Sequence, residues 1–424
     1  MLLVVALFLL ALSVIKGGYY VRAYGGVDLR SISVASRLLD TGGTAYFHRW
    51  SPGEPEKYLD PNVPRDTRSN AVTVAPGTLY IVSLFSGLRY PLLRLVWAVL
   101  QYLVVFSIFC YFYFQKDNSA DRRWSIVVVG GLFFLCTPIW FLNTERGQVY
   151  FLFAFFFTLI YALYRSPKPA ANVLAGVVMA AAAYCRPNFA FLLLPVLLVR
   201  QWRVLAGWLV AAVPLAIHAW LHRGLWKAWS AVVHEFSDLG PATPAAAHPG
   251  YVYPAVIEGA GNLTKYKTDF VCGGIQPLST WFRGVFTIST PYFYLGVLLV
   301  ALAVLVLAFK KELAKPPEAA SGEASTILLF GFLLYMVTEY IMPASRTAYN
   351  LLLWIFPVLL FLQRPRFPAA VFVLLVVGLC LINGFPFYMP LLPDLGEALL
   401  VFCLCYYLKT PEVKTPSVSV LSSY

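Results

Sequence analysis

The chain has 424 residues, of which 60% are hydrophobic and only 12% charged, with a mean hydropathy of +0.71. A soluble domain carries about 25% charged residues, so this composition excludes a soluble enzyme and indicates a polytopic membrane protein. The formal charge of +12 does not indicate a nucleic-acid partner, because the basic residues sit in short clusters between apolar runs, as the positive-inside rule requires.

Single apolar runs of about 17–25 residues, each able to cross a ~30 Å hydrocarbon core as a helix, recur along the chain. They are continuous rather than alternating, which excludes a β-barrel. Residues 1–16 read as an uncleaved first span, since no basic flank precedes them; the alternative is a signal peptide cut near Ala11–Ser13. A polar region follows from 17 to about 70, headed by GGVDLRSISVASRLLDTGG. In it Leu29, Ile32, Ala35, Leu38 and Leu39 recur at helical spacing, with Arg30, Ser33 and Arg37 opposite. This predicts a helix over 29–40 lying on the membrane, ended by Gly42 and Gly43.

The stretch 72–88 is apolar but short and carries Pro76, Gly77 and Gly87, which predicts a second surface helix. Spans are then expected at 1–17, 90–114, 124–142, 148–164, 170–185, 187–200, 204–222, 284–309, 324–342, 347–363, 368–383 and 391–408, about twelve in an all-α bundle. On one side the connections hold the basic clusters 116–123, 165–168, 200–203, 310–315 and 364–366, whereas the short loops opposite hold only Arg146, Arg186 and Arg346. The clusters belong in the cytoplasm. Residues 17–89 and 223–283 then face outward as two long loops of a single domain over 1–408, and 409–424 form a disordered cytoplasmic tail. Arg94, His218, Glu339, Asp394 and Glu397 fall toward the outer ends of spans, avoiding the cost of about 2.5–3.5 kcal/mol for a charge at the bilayer centre. Together these groups predict a polar pocket at the outer leaflet.

No P-loop, GxGxxG, HExxH or GxSxG is present; HEFSD at 234–238 lacks the second histidine of a zincin. Of seven cysteines, five (Cys110, Cys136, Cys380, Cys403, Cys405) lie inside apolar runs as small hydrophobes, and Cys185 and Cys272 support no disulfide. No acidic doublet suggests a divalent cation holding a nucleotide-sugar, so no cofactor or metal is expected. A transferase with an outward pocket, a transporter or flippase of lipid-linked glycans, and a glycan polymerase using the 223–283 loop all suit this plan. The absence of an internal repeat and of charges at the midplane disfavours transport.

Four segments in order, GVDLRSISVASRLLDTGGTAY, VAPGTLY, NTERGQVYFLFAFFFTLIYAL and AGVVMAAAAYCRPNFAFLLLPVLL, resemble GT-C glycosyltransferases of family 87, the polyprenyl-phosphate-mannose-dependent α-mannosyltransferases of bacterial envelopes. GGIQPLSTWFRG (Gly273–Gly284) is similar to the family's Asn-Gln-Ser loop, and IMPASRTAYNLLLWIFP (Ile341–Pro357) to its histidine-containing loop. The chain departs from that pattern where Ala75, Pro76 and Gly77 replace a YPP, where Arg186 stands for a lysine, and where Arg346 with Tyr349 replaces the histidine region.

The resemblance implies a polyprenyl-phosphate sugar donor, a glycolipid or glycan acceptor, and an active site on the outer face of a bacterial inner membrane. It implies Asp28 as the base that takes the acceptor's proton. It also implies Arg186, Arg346 and Arg146 as cations for the departing phosphate, and Gln148, Gln276, Ser279 and Tyr349 as substrate contacts. From the residues alone Asp28 is equally an N-cap, Asp40 caps or pairs near the helix end, and Gln148 equally reads as a helix-end cap. Arg146 pairs as readily with Glu145, Arg186 anchors at a break before Pro187, and Arg283 anchors at a headgroup. His48, His234 and His248 read as solvated loop residues, and the sequon at Asn262 faces outward.

Overall fold

The computed structural model describes residues 1–24, 26–39, 72–116, 118–238, 320–341, 346–364, 367–384 and 392–409, with parts of 45–58 and of 271–307. The described chain is helical apart from one two-residue antiparallel ladder, β1 (Val271–Cys272) with β2 (Arg346–Thr347). Among the described residues three helices are long and apolar enough to cross a membrane: Leu2–Arg22 of α1 (Leu2–Tyr24), α4 (Tyr90–Tyr113) and α11 (Trp202–Leu221). A fourth arises if the pair Ala120–Leu135 and Pro138–Arg146, bent by 51°, counts as one.

The other apolar helices are α8 (Tyr150–Tyr164), α9 (Pro169–Cys185), α13 (Ala320–Ile341), α14 (Ile355–Leu362) and α15 (Ala369–Ile382); within the described residues their apolar stretches run 10–17 residues. A membrane bundle is present, with three or four full-length spans among the described residues where about twelve were expected along the whole chain. Proline breaks explain much of the difference. The run expected as a span at 124–142 divides into α5 (Ala120–Ser125), a π turn, α6 (Gly131–Leu135) and α7 (Pro138–Arg146), the last break falling where Pro138 cannot continue the preceding helix. The run 187–200 is a 3₁₀ turn followed by α10 (Leu193–Leu198). The expected span at 284–309 lies mostly outside the described residues.

One expectation for the first polar region is corrected. The helix predicted over 29–40 is α2 (Val27–Arg37), and it does not lie exposed on a surface. Leu29, Ile32 and Ala35 are buried as expected, yet Arg30 and Ser33 on the polar face are buried as well. Protein covers both faces. Arg37 donates to the carbonyls of Ser86 and Leu88, so the turn before α4 wraps the far side of α2. Burial and the nearby Arg30 charge lower the Arg37 pKa from its usual value. The stretch 72–88 forms α3 (Pro76–Ser83), whose eight residues extend only ~12 Å. It does not cross a membrane. Residues 223–283, the second long connection, begin with a helix, α12 (Arg223–Asp238).

The α9–α11 pair packs backbone to backbone. A Cβ added at Gly207 would overlap the Val173 carbonyl, and one at Gly176 would overlap the Val204 carbonyl, so only glycine permits this approach. Gly207→Leu is therefore expected to abolish recovery of monodisperse protein in detergent, read by size-exclusion chromatography; a normal elution profile would show that the two helices can part without loss of the fold.

An aromatic core joins α8, the 187–192 turn, α13 and α14. Phe157 lies 4.6 Å from Phe189, 5.2 Å from Phe332 and 5.7 Å from Phe356 between ring centroids. It fixes the ends of α8, α9 and α13 relative to one another, and those ends carry the polar groups described next.

Candidate active site

Asp28 is the second residue of α2, in its first turn, and the N-cap of that helix is Gly26, whose carbonyl accepts from the Tyr90 hydroxyl at 2.7 Å. Asp28 is therefore not the cap. Its carboxylate reaches across to the α7–α8 turn. Arg146 Nε donates to Oδ2 at 2.5 Å and Arg146 Nη2 to Oδ1 at 2.9 Å, a bidentate charge-assisted pair, and Gln148 Nε2 donates to Oδ2 as well. Arg146 thus pairs with Asp28, the partner that a separation of 118 residues hides from local sequence spacing. The Asp28 side chain keeps 16% exposure and Arg146 14%, so the pair is largely but not wholly buried.

The turn that presents Arg146 and Gln148 is held from below. Gly147 takes the left-handed conformation at φ 68°, and the Gln148 amide closes α7 by donating to the Asn143 carbonyl at 2.9 Å. The backbone of Gln148 does the capping, which leaves its side chain for Asp28. Trp97 Nε1 donates to the Gly147 carbonyl at 3.1 Å, and Gln101 Nε2 donates to the Gln148 carbonyl at 3.0 Å. Both come from α4, which explains why a tryptophan and a glutamine are wholly buried in an apolar helix.

A second cluster adjoins the first. Arg186, in the extended break between α9 and Pro187, forms a fork with Glu339 near the end of α13, Nε to Oε1 at 3.0 Å and Nη2 to Oε2 at 2.5 Å. Asn188 Nδ2 donates to the same Oε1 at 2.9 Å, and Arg186 Nη1 donates to the Tyr150 hydroxyl at 3.1 Å. Tyr150 and Tyr349 bring the clusters together. Their rings are 5.3 Å apart, the Tyr150 ring lies 4.9 Å from the Arg186 guanidinium, and the Tyr349 ring lies 5.8 Å from the Arg146 guanidinium. Asp28, Arg146, Gln148, Tyr349, Tyr150, Arg186 and Glu339 therefore form one continuous polar and aromatic network.

Of the residues singled out in the sequence, Asp28, Arg146, Gln148, Arg186 and Tyr349 come together. Arg346 contributes a described backbone in β2 only, and Asp40, His248, Asn262, Gln276, Ser279 and Arg283 lie outside the described residues; the His234 side chain does also. His48, expected to be a solvated loop residue, has Glu54 as a partner at 3.2 Å. Sequence reasoning assigned no role to Tyr150, Asn188, Trp97 or Gln101. The signal available was Glu339, an acid inside an apolar run, which demands a basic partner.

The network is compatible with group transfer to an acceptor hydroxyl. It offers one carboxylate able to accept a proton, an amide, and guanidinium groups able to hold a departing anion.

Comparison with known proteins gives one finding. The family model for glycosyltransferase family 87 matches residues 74–338, a region that contains Arg146, Gln148 and Arg186 and leaves Asp28, Glu339 and Tyr349 beyond its ends. No curated protein and no solved structure matches the chain. The match spans more than half of the sequence, carries the residues of the network's central turn, and falls on a bundle with membrane-spanning helices, so the chain belongs to glycosyltransferase family 87 and is a membrane glycosyltransferase.

Proposed function

We propose that the protein transfers a hexose, mannose by family resemblance, from a polyprenyl-phosphate donor to a glycolipid or glycan acceptor at the extracytoplasmic face of a bacterial inner membrane. The observation that carries the proposal is the placement of the Asp28 carboxylate, on α2, against both Arg146 and Gln148 of the α7–α8 turn. A lone capping aspartate has no need of such partners.

In this reading the acceptor oxygen attacks the anomeric carbon, its proton passes to Asp28, and the bond from that carbon to the phosphate oxygen breaks with its electron pair leaving on the lipid phosphate. The configuration inverts. Arg146 and Gln148 hold the carboxylate in place, and Arg186, with Arg346 contributed from β2, meets the negative charge that develops on the phosphate. Gln148 and Tyr349 contact the sugar, and Gln276 and Ser279 of the second long loop are proposed to join them. A phosphate is a competent leaving group without a protonated acid beside it, and guanidinium groups can supply the countercharge that a metal supplies in nucleotide-sugar enzymes, so transfer is proposed to need no metal.

The test uses purified protein with a glycolipid acceptor extract, offered polyprenyl-phosphate hexoses or nucleotide-sugars, each with and without EDTA. Transfer is expected from the lipid-phosphate donors alone and at an unchanged rate with EDTA. Transfer from nucleotide-sugars only, loss of activity with EDTA, or translocation of a lipid-linked glycan without transfer would each contradict the proposal.

A further inference from the structure

Glu339 has no role in the transfer step described above, yet it is among the least expected residues of the bundle. Its side chain is 2% exposed. It also sits within three residues of the end of α13, where the helix dipole disfavours an anion. Well-packed apolar residues commonly replace a buried ion pair at no loss, so stability alone is a weak account of the charge.

What the carboxylate does is fix one guanidinium. Its two oxygens take Nε and Nη2 of Arg186, which defines the guanidinium plane, and Asn188 locks Oε1 in turn. The remaining nitrogen, Nη1, is directed to the Tyr150 hydroxyl, on the side where Tyr150 meets Tyr349 and Tyr349 meets Arg146. Tyr150 and Phe153 flank the guanidinium, with ring centroids at 4.9 and 5.2 Å. Arg186 is thereby held in one orientation before any substrate arrives.

We propose that Glu339, braced by Asn188, is a positioning residue that pre-orients Arg186 so that its Nη1 edge receives the phosphate of the lipid-phosphate donor between the two tyrosines. The inference rests on the donor reading given above. A fixed planar fork suits a phosphate better than a mobile cation, since its orientation is set before binding.

The probe is farnesyl phosphate, a short lipid phosphate, titrated onto the purified full chain in detergent, with thermal unfolding recorded on the same samples. Arg186→Met is expected to weaken binding about tenfold or more. Glu339→Asp keeps the charge but withdraws the fork by one methylene, and is expected to lower the unfolding temperature somewhat and to weaken binding about tenfold in protein that remains folded at the assay temperature, in line with the cost of misplacing a binding group by about 1 Å. In the Arg186→Met background Glu339→Asp is expected to change nothing further, because its effect passes through the guanidinium. Asn188→Leu is an independent arm, expected to weaken binding about threefold in the wild-type background and not at all beside Arg186→Met; it decides the matter if Glu339→Asp does not fold.

Wild-type affinity in folded Glu339→Asp overturns the positioning role, as does a loss from either variant that persists beside Arg186→Met. Wild-type affinity in Arg186→Met is a different failure: it removes the phosphate role of Arg186 on which the inference depends.

Discussion

Asp28→Asn is expected to lower the rate of sugar transfer by about 10²–10⁴-fold, the range that a positioned general base contributes, while leaving a protein that elutes and binds donor like the wild type. The two variables separate because asparagine keeps the shape of the side chain and one acceptor oxygen. Arg146 and Gln148 can still donate to that oxygen, and the amide that replaces the other oxygen leaves one donor poorly matched, at a cost of about 1–3 kcal/mol. A loss of transfer that exceeds any loss of folded protein by orders of magnitude is then chemical. Asp28→Glu gives a graded comparison. It preserves the charge but drives the carboxylate into Arg146, so a partial loss is expected, between those of the wild type and Asp28→Asn.

The second large effect is expected at Gly147. Its φ of 68° is the left-handed region, which costs a residue with a side chain about 1–2 kcal/mol. A Cβ there would also stand 2.5 Å from the Cβ of Leu29, one residue after Asp28. Gly147→Ala must therefore push α2 away from the α7–α8 turn, and the Asp28 contacts to Arg146 and Gln148 span the same gap. Transfer is expected to fall at least tenfold, because a shift of about 1 Å in a reacting group commonly costs up to 10²-fold, with a lower unfolding temperature. Leu29→Ala should not restore it, since the atom in the way is the Cβ that alanine keeps. Activity recovered in the double variant would show that α2 is not held by this contact.

These two expectations also mark what the sequence could reveal. The order of polar and apolar segments was enough to find α2 and to place Asp28, Gln148 and Arg186 at turns and helix ends. Helical spacing identified the apolar face of α2, but such spacing says nothing about what covers the opposite face, and Arg30 and Ser33 proved buried too. Pro76, Gly77 and Gly87 were sufficient reason to deny 72–88 a crossing, and α3 is short. Pro138 carried the same warning inside the run 124–142, where an unbroken apolar composition masked it. Pairing was the least legible property. Arg186 and Glu339 are separated by 153 positions and Arg146 and Asp28 by 118, and no local spacing encodes contacts of that range. The Arg186–Glu339 pair depends on the aromatic core that packs α8, the 187–192 turn and α13 together.

The most direct measurement of the central claim is the anomeric configuration of the product, by NMR, when purified protein is given a β-configured polyprenyl-phosphate mannose and its glycolipid acceptor, in parallel with Asp28→Asn. A single displacement driven by Asp28 predicts an α-linked product from the wild type and almost none from the variant. A β-linked product, or undiminished transfer by correctly folded Asp28→Asn, would contradict it.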